Sequence, residues 1–206
     1  VNDNISKAGY KVQAEDRILI DIPEPVYADI EPENIPLDII YEDKDVLIIN
    51  KPKDMVVHPA PGHYSGTLVN GIMYHCKENL SNINGILRPG IVHRIDKDTT
   101  GALIVCKNNN SHNCIAGQLK EHSITRKYIG IVQGTFHDLE GVIDAPIGRH
   151  PVKRKEMCIN EKNGKRAITH YQVLQQFTNY SLCQFQLETG RTHQIRVHMA
   201  SIHHPL

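Results

Sequence analysis

Apolar residues in this chain fall into short blocks separated by polar, glycine- and proline-containing stretches, and the period inside each block predicts its element. Val46-Leu47-Ile48-Ile49 runs between Asp45 and Asn50 and stops at Lys51-Pro52, where proline offers no N–H to a ladder, so 45–50 is predicted as a strand. Gly66-Thr67 opens a block with Leu68, Ile72 and His75/Cys76 at helical spacing, predicting a helix over about 67–76. A strand is predicted at 103–107. A second helix follows at 112–122, where Ile115, Leu119 and His122 share a face. Arg126 to Gly134 reads as a strand closed by glycine, and Val142-Ile143 as a short one. Residues 167–177 and 180–188 read as two more. In the second of these, Cys183, Phe185 and Leu187 alternate with Gln184, Gln186 and Glu188, as a half-buried antiparallel strand requires. Thr192 is placed to cap a last helix that carries Ile195, Met199 and Ile202 on one face.

The beginning of the chain behaves differently. Tyr10 to Gln13 and Arg17 to Ile22 are two strand-like pieces too short to bury a core, so 1–22 is expected to be the end of a small domain. Residues 23–36 hold four prolines together with Glu24, Asp29, Glu31 and Glu33, an acidic linker composition. The main domain is therefore expected to span 37–206. Its class is α+β, a mainly antiparallel sheet with flanking helices.

Charge changes the picture more than composition does. The formal net charge is zero, but residues 1–87 carry 7 Lys+Arg against 14 Asp+Glu and residues 88–206 carry 16 against 9. A basic second part suits a polyanionic partner, most simply nucleic acid. Its densest patch is Arg149-His150-Pro151-Val152-Lys153-Arg154-Lys155. The five cysteines are scattered without a Cys-x-x-Cys pair, so neither a disulfide framework nor a zinc knuckle is expected. No run reaches the roughly 18 apolar residues of a membrane span, and 1–10 lacks the pattern of a secretory signal, so a cytoplasmic protein is expected.

Two stretches carry candidate chemistry. His93-Arg94-Ile95-Asp96-Lys97-Asp98-Thr99-Thr100-Gly101 sets one carboxylate, Asp96, between cations in a loop that feeds a strand, with Gly101 as hinge. Cations on both sides favour an ionised carboxylate, which suits a nucleophile or a base. Gly190-Arg191-Thr192-His193-Gln194-Ile195-Arg196-Val197-His198 crowds two arginines, an amide and two histidines at a helix start, where a carboxylate or phosphate is the natural guest. Arg196 is expected to hold Asp96 by a bidentate ion pair. Asp98 stands too close to Asp96 to complete the pair of carboxylates a glycosidase needs. The histidines at 193, 198, 203 and 204 follow no metal-binding spacing, so no metal is expected.

The first stretch resembles the signature of the RluA family of pseudouridine synthases, and 190–198 resembles that family's later motif. Tyr41-Glu42-Asp43, Ile49-Asn50-Lys51-Pro52, Val57-His58-Pro59, Arg126-Lys127-Tyr128 and Pro146 to Pro151 stand in the family's order, so the likeness covers about 35–206. Ile95 and Thr100 occupy places where the family commonly has Leu and Ser.

The resemblance implies isomerisation of uridine in RNA without cofactor or metal. It leans towards large-subunit ribosomal RNA, with 1–22 as the remnant of an S4-like RNA-binding domain and a catalytic domain that continues past Leu206. Asp96 is implied as the catalytic aspartate, Tyr128 as the tyrosine facing the base, and Arg196 as the aspartate's partner. Arg94, Arg191, His193 and Gln194 are implied at the substrate, and Arg149, Lys153, Arg154 and Lys155 at RNA phosphates. Partners are ribosomal RNA or a large-subunit precursor, with a monomeric protein. Transfer RNA as target, or an RNA-binding assembly module, stays open as an alternative.

Overall fold

A computed structural model describes residues 1–7, 9–20, 30–60, 63–77, 79–85 and 87–206. Every strand pairing in it is antiparallel, and the strands form three separate sheets rather than one. The first sheet has the order β1 (Ile39–Glu42), β2 (Val46–Lys51), β3 (Gly101–Cys106). Helix α1 (Leu68–Cys76) covers it, and α2 (Asn109–Lys120) follows β3. The second sheet uses β4 (Arg126–Gln133), β5 (Glu140–Asp144), β8 (Ile168–Gln176) and β9 (Tyr180–Leu187) in the order β4-β9-β8-β5. Strands β6 (Ile147–Arg149) and β7 (Met157–Ile159) make a two-stranded arm, and α3 (Gln194–Ser201) packs on β7 and β8.

Local chemistry explains the boundaries. Thr67 caps α1 by accepting from Asn70 N, while the Asn70 side chain accepts from Thr67 N at 3.0 Å, so two otherwise orphaned donors are satisfied. Helix α2 starts three residues before its predicted beginning, because Asn108 accepts from Ser111 N at 2.9 Å and acts as its N-cap. Thr192 does not cap α3. His193 stands at that position instead, and the helix begins at Gln194.

Two hydrophobic clusters result. Leu47 and Ile49 of β2, Leu103 and Val105 of β3, and Leu68 and Ile72 of α1 are fully buried in the first, each worth about 1.5–3 kcal/mol of burial. Val132, Cys183, Phe185 and Met199 anchor the second. Tyr128 packs against both, so it marks the seam between them.

The N-terminal expectations fare unevenly. Among the described residues up to 20, the chain forms turns rather than the two expected strands, tied by Asn2 N donating to Arg17 O and Arg17 N to Asn2 Oδ1, both at 2.9 Å. With nothing to complete a sheet, two short strands gain too few ladder bonds to persist. Residues 21–29 lie outside the described residues, and with them the last part of the second strand and most of the linker. The described end of the linker is docked: Ile30 is buried in the first cluster, Glu33 accepts from Gly66 N, and Asn70 Nδ2 donates to Glu31 O at 2.9 Å.

Candidate active site

Asp96 leads a tight turn in which Thr99 N donates to its carbonyl at 3.1 Å, and the turn hands over to β3 at Gly101, whose φ of 122° favours glycine. Ile95 plugs the loop into the first core. Beneath the loop lies Lys51, the largest fully buried side chain, at the end of β2. Its Nζ donates to Pro52 O at 2.7 Å, Met55 O at 2.9 Å and Lys97 O at 2.9 Å, so all three protons of an ammonium are used. Burial pulls this ammonium below its ordinary pKa, while the negative charges of Asp98, Asp54 and Asp96 hold it up. A buried cation thus pins the backbone one residue beyond Asp96. Sequence reasoning gave Lys51 no role, because a lysine closing an apolar strand looks like an exposed strand end.

Across the seam, the start of α3 faces the carboxylate. His193 Nε2 stands 3.9 Å from Asp96 Oδ2, with both side chains partly exposed. Arg196, expected in that place, is exposed and makes no ion pair with Asp96 among the described residues. Helix geometry gives the reason. Gln194 and His198, four apart, are the face buried against β8, and a residue two positions after Gln194 lies on the opposite side.

That buried face is a directional chain of hydrogen bonds. Ile168 N donates to Thr189 Oγ1 at 3.0 Å, Thr189 Oγ1 to Gln194 Oε1 at 2.8 Å, and Arg191 N also to Gln194 Oε1 at 2.9 Å. Gln194 Nε2 donates to Ile168 O at 2.9 Å and to Thr169 Oγ1 at 3.0 Å. His198 Nε2 donates to Ala145 O at 3.0 Å, and its Nδ1 lies 2.9 Å from Thr169 Oγ1. Burial lowers the pKa of His198, which favours the neutral ring with Nδ1 accepting from Thr169 Oγ1. Gln194, expected at the substrate, has its amide saturated within the protein and holds α3 instead.

Tyr128 is half-buried on β4, opposite Phe185 of β9. Burial raises its phenol above the ordinary value, the charge of Arg126 pulls it back, and Asp96 pushes it up again. The last of these couples Tyr128 electrostatically to Asp96. His93, three residues before Asp96, has its pKa lowered to about 4 by burial and by Arg126, and its Nε2 accepts from Ile104 N at 3.0 Å. Arg94 is exposed beside it, and Arg191 is exposed with Nε donating to Arg166 O at 2.9 Å.

The basic patch lies on the arm. His150 Nδ1 accepts from Val152 N at 3.2 Å and Lys153 N at 3.0 Å, which folds the loop, and Arg149 Nη1 donates to Arg154 O at 3.2 Å. Lys153 pairs with Glu156 at 3.4 Å, and Arg149, Lys153, Arg154 and Lys155 are all exposed.

Two grooves lie away from Asp96. One, of about 510 Å³, is on the outer face of the second sheet between Val142, His170 and Gln184, and one of about 850 Å³ separates residues 32–39 from the end of α1. Among the described residues, Glu42, His75 and Cys76 bring three possible cation ligands together. Lys107 Nζ already occupies Glu42 at 2.8 Å, and His75 Nε2 meets it at 2.9 Å.

Residues 45–201, which contain Asp96, Tyr128 and His193, match the RNA pseudouridylate synthase family. The chain belongs to that family. More narrowly it is a member of the RluA family, since relatives at 43–51% identity carry the name ribosomal large subunit pseudouridine synthase D. It is 51% identical over 198 residues to the protein of that name from Zymomonas mobilis, covering 96% of this chain and 62% of the relative. It is 53% identical over 206 residues to the Bacillus subtilis protein "Uncharacterized RNA pseudouridine synthase YlyB", covering 100% of this chain and 67% of the relative. The chain thus spans about two thirds of the length of these relatives. Among solved structures, it resembles "Human RNA Pseudouridylate Synthase Domain Containing 1" with a TM-score of 0.66 and 28% identity, over 82% of this chain and 66% of that one.

Proposed function

We propose that this chain is the catalytic part of an enzyme that converts specific uridines of large-subunit ribosomal RNA to pseudouridine. The observation that carries the reading is Asp96: one carboxylate on a pinned loop at the seam of two cores, coupled to Tyr128 and facing His193, within the 45–201 match to the family. The target class follows the relatives named for the large ribosomal subunit.

The chemistry breaks the bond from N1 to C1′, turns the uracil in place and rejoins it through C5. Asp96 acts on the sugar, either as nucleophile at C1′ or as the base that removes a ribose proton. Tyr128, anchored on both cores, offers its ring to the base and its protonated phenol as a hydrogen-bond donor. A uridine stacked in RNA cannot reach Asp96, so it is flipped out at a cost of a few kcal/mol. Phosphate contacts from the exposed Arg149, Lys153, Arg154 and Lys155, and from Arg94, Arg191 and Arg196 nearer the site, offset that cost. The S4-like reading of 1–22, the cytoplasmic setting and a monomeric state belong to the same proposal.

The test is tritium release from RNA carrying 5-tritiated uridine. Intact protein should release label, and Asp96→Asn should lose at least about a hundredfold in rate, the scale of a removed acid–base or nucleophilic group. Equal release by the two proteins sinks the assignment of Asp96. Binding to ribosomal RNA without release by either would make the chain a binding module.

A further inference from the structure

The side chain facing Asp96 across the seam is set up at a conformational cost. His193 has φ 55° and ψ 26°, a left-handed backbone that non-glycine residues adopt at a penalty of about 1–2 kcal/mol. At an N-cap, a side chain ordinarily repays its position by bonding to the helix N–H groups, and His193 makes no such bond. The Gln194 chain described above fixes the backbone on the C-terminal side, and the imidazole points at Asp96 at 3.9 Å instead.

The isomerisation ends with a proton to dispose of. Once C5 has bonded to C1′, C5 is tetrahedral and still carries its hydrogen, while N1 and C6 share a double bond. Because Asp96 works at C1′ and C5 is one bond beyond, the C5 hydrogen lies next to the carboxylate and within reach of whatever faces it. Tyr128 is a poor acceptor there, since burial keeps its phenol protonated. An imidazole is the side chain best suited to taking and releasing a proton near neutral pH.

We propose that His193 is the base that removes the C5 proton in the closing step; this rests on the pseudouridine synthase reading of the site. The C5–H bond breaks and its electron pair forms the C5–C6 double bond. The N1–C6 π pair moves onto N1, which takes a proton from water, and the imidazolium returns its own proton to water. Nothing is oxidised or reduced, and the product is an isomer of the substrate.

The experiment compares intact protein with His193→Asn and His193→Ala on RNA bearing protium or deuterium at C5 of the target uridines. Asn tolerates the left-handed backbone, so His193→Asn keeps the turn while removing the base. Expected are unchanged RNA affinity, a kcat about a hundredfold lower, a C5 isotope effect larger than the parent's, and partial recovery of His193→Ala by added imidazole. An unchanged kcat overturns the proposal. So does a lower kcat with the parent's isotope effect and no response to imidazole, which would make His193 a positioning residue. If the parent forms no pseudouridine, the underlying reading has failed first. Activity lost in Asp96→Asn but kept in His193→Asn defeats only the role of His193.

Discussion

His58, His93 and His198 share one physical condition: burial outweighs charging. Burial brings His58 to about 4, aided by the charges of Arg88 and Arg94, and His93 to about 4 as well, while His198 is lowered in the same direction. In the unfolded chain these rings titrate near the ordinary histidine value of about 6.5. Above that pH neither state binds the proton and the histidines leave stability untouched. Between about 6.5 and about 4 the unfolded state binds protons that folded His58 and His93 refuse, so stability falls as pH falls, and for these two the loss is complete below about 4. Urea unfolding at pH 7 and pH 5 should show this loss, and His93→Gln should flatten the dependence. Identical slopes for parent and variant would mean that His93 accepts its proton in the fold. Lys51 shows the opposite solution, a buried charge kept by giving each of its protons a carbonyl.

At the scale of elements, α3 matters through what ties it down. Besides Met199, Ile195 and Ile202, which pack in the second core, Gln194 and His198 tie it to β8 by buried polar contacts. Gln194→Leu would leave the buried Thr189 hydroxyl without its acceptor, whereas Arg191 N is only part-buried and Ile168 O keeps Glu188 N at 3.3 Å, and an orphaned buried group costs about 1–3 kcal/mol. The expected result is a fall in stability of about 1–3 kcal/mol, measured by thermal unfolding, with activity per folded molecule also reduced because His193 loses its setting. A variant as stable as the parent would show that the network carries no weight. Most elements were legible from periodicity: β2, α1, β4, β8 and β9 lie where the apolar pattern puts them, within a few residues. Strands β1, β6 and β7 were not, since they are 4, 3 and 3 residues long and their partners, not their own pattern, make them strands.

Over the whole molecule, the charge asymmetry becomes a surface feature. The cations at 149–155 stand exposed on the β6–β7 arm, where the proposal has them grip RNA phosphates. Replacing Lys153, Arg154 and Lys155 together by Ala should weaken binding to ribosomal RNA and flatten its dependence on salt. Up to three fewer phosphates would be neutralised, each contributing about −0.7 to −0.9 to the slope of log K against log salt. An unchanged slope removes the arm from the RNA interface.

The sequence by itself determined the antiparallel α+β character, the family, and Asp96 as the residue to watch, because each rests on local order: alternation, helical spacing, and a contiguous motif. The tertiary structure alone decided what surrounds Asp96. That Lys51 lies under the loop, that Gln194 is sealed inside and that His193 rather than Arg196 faces the carboxylate all depend on how α3 is rotated against β8 and where two cores meet. Those relations join residues 25 to 97 positions apart, and no local pattern encodes a rotation set by buried hydrogen bonds.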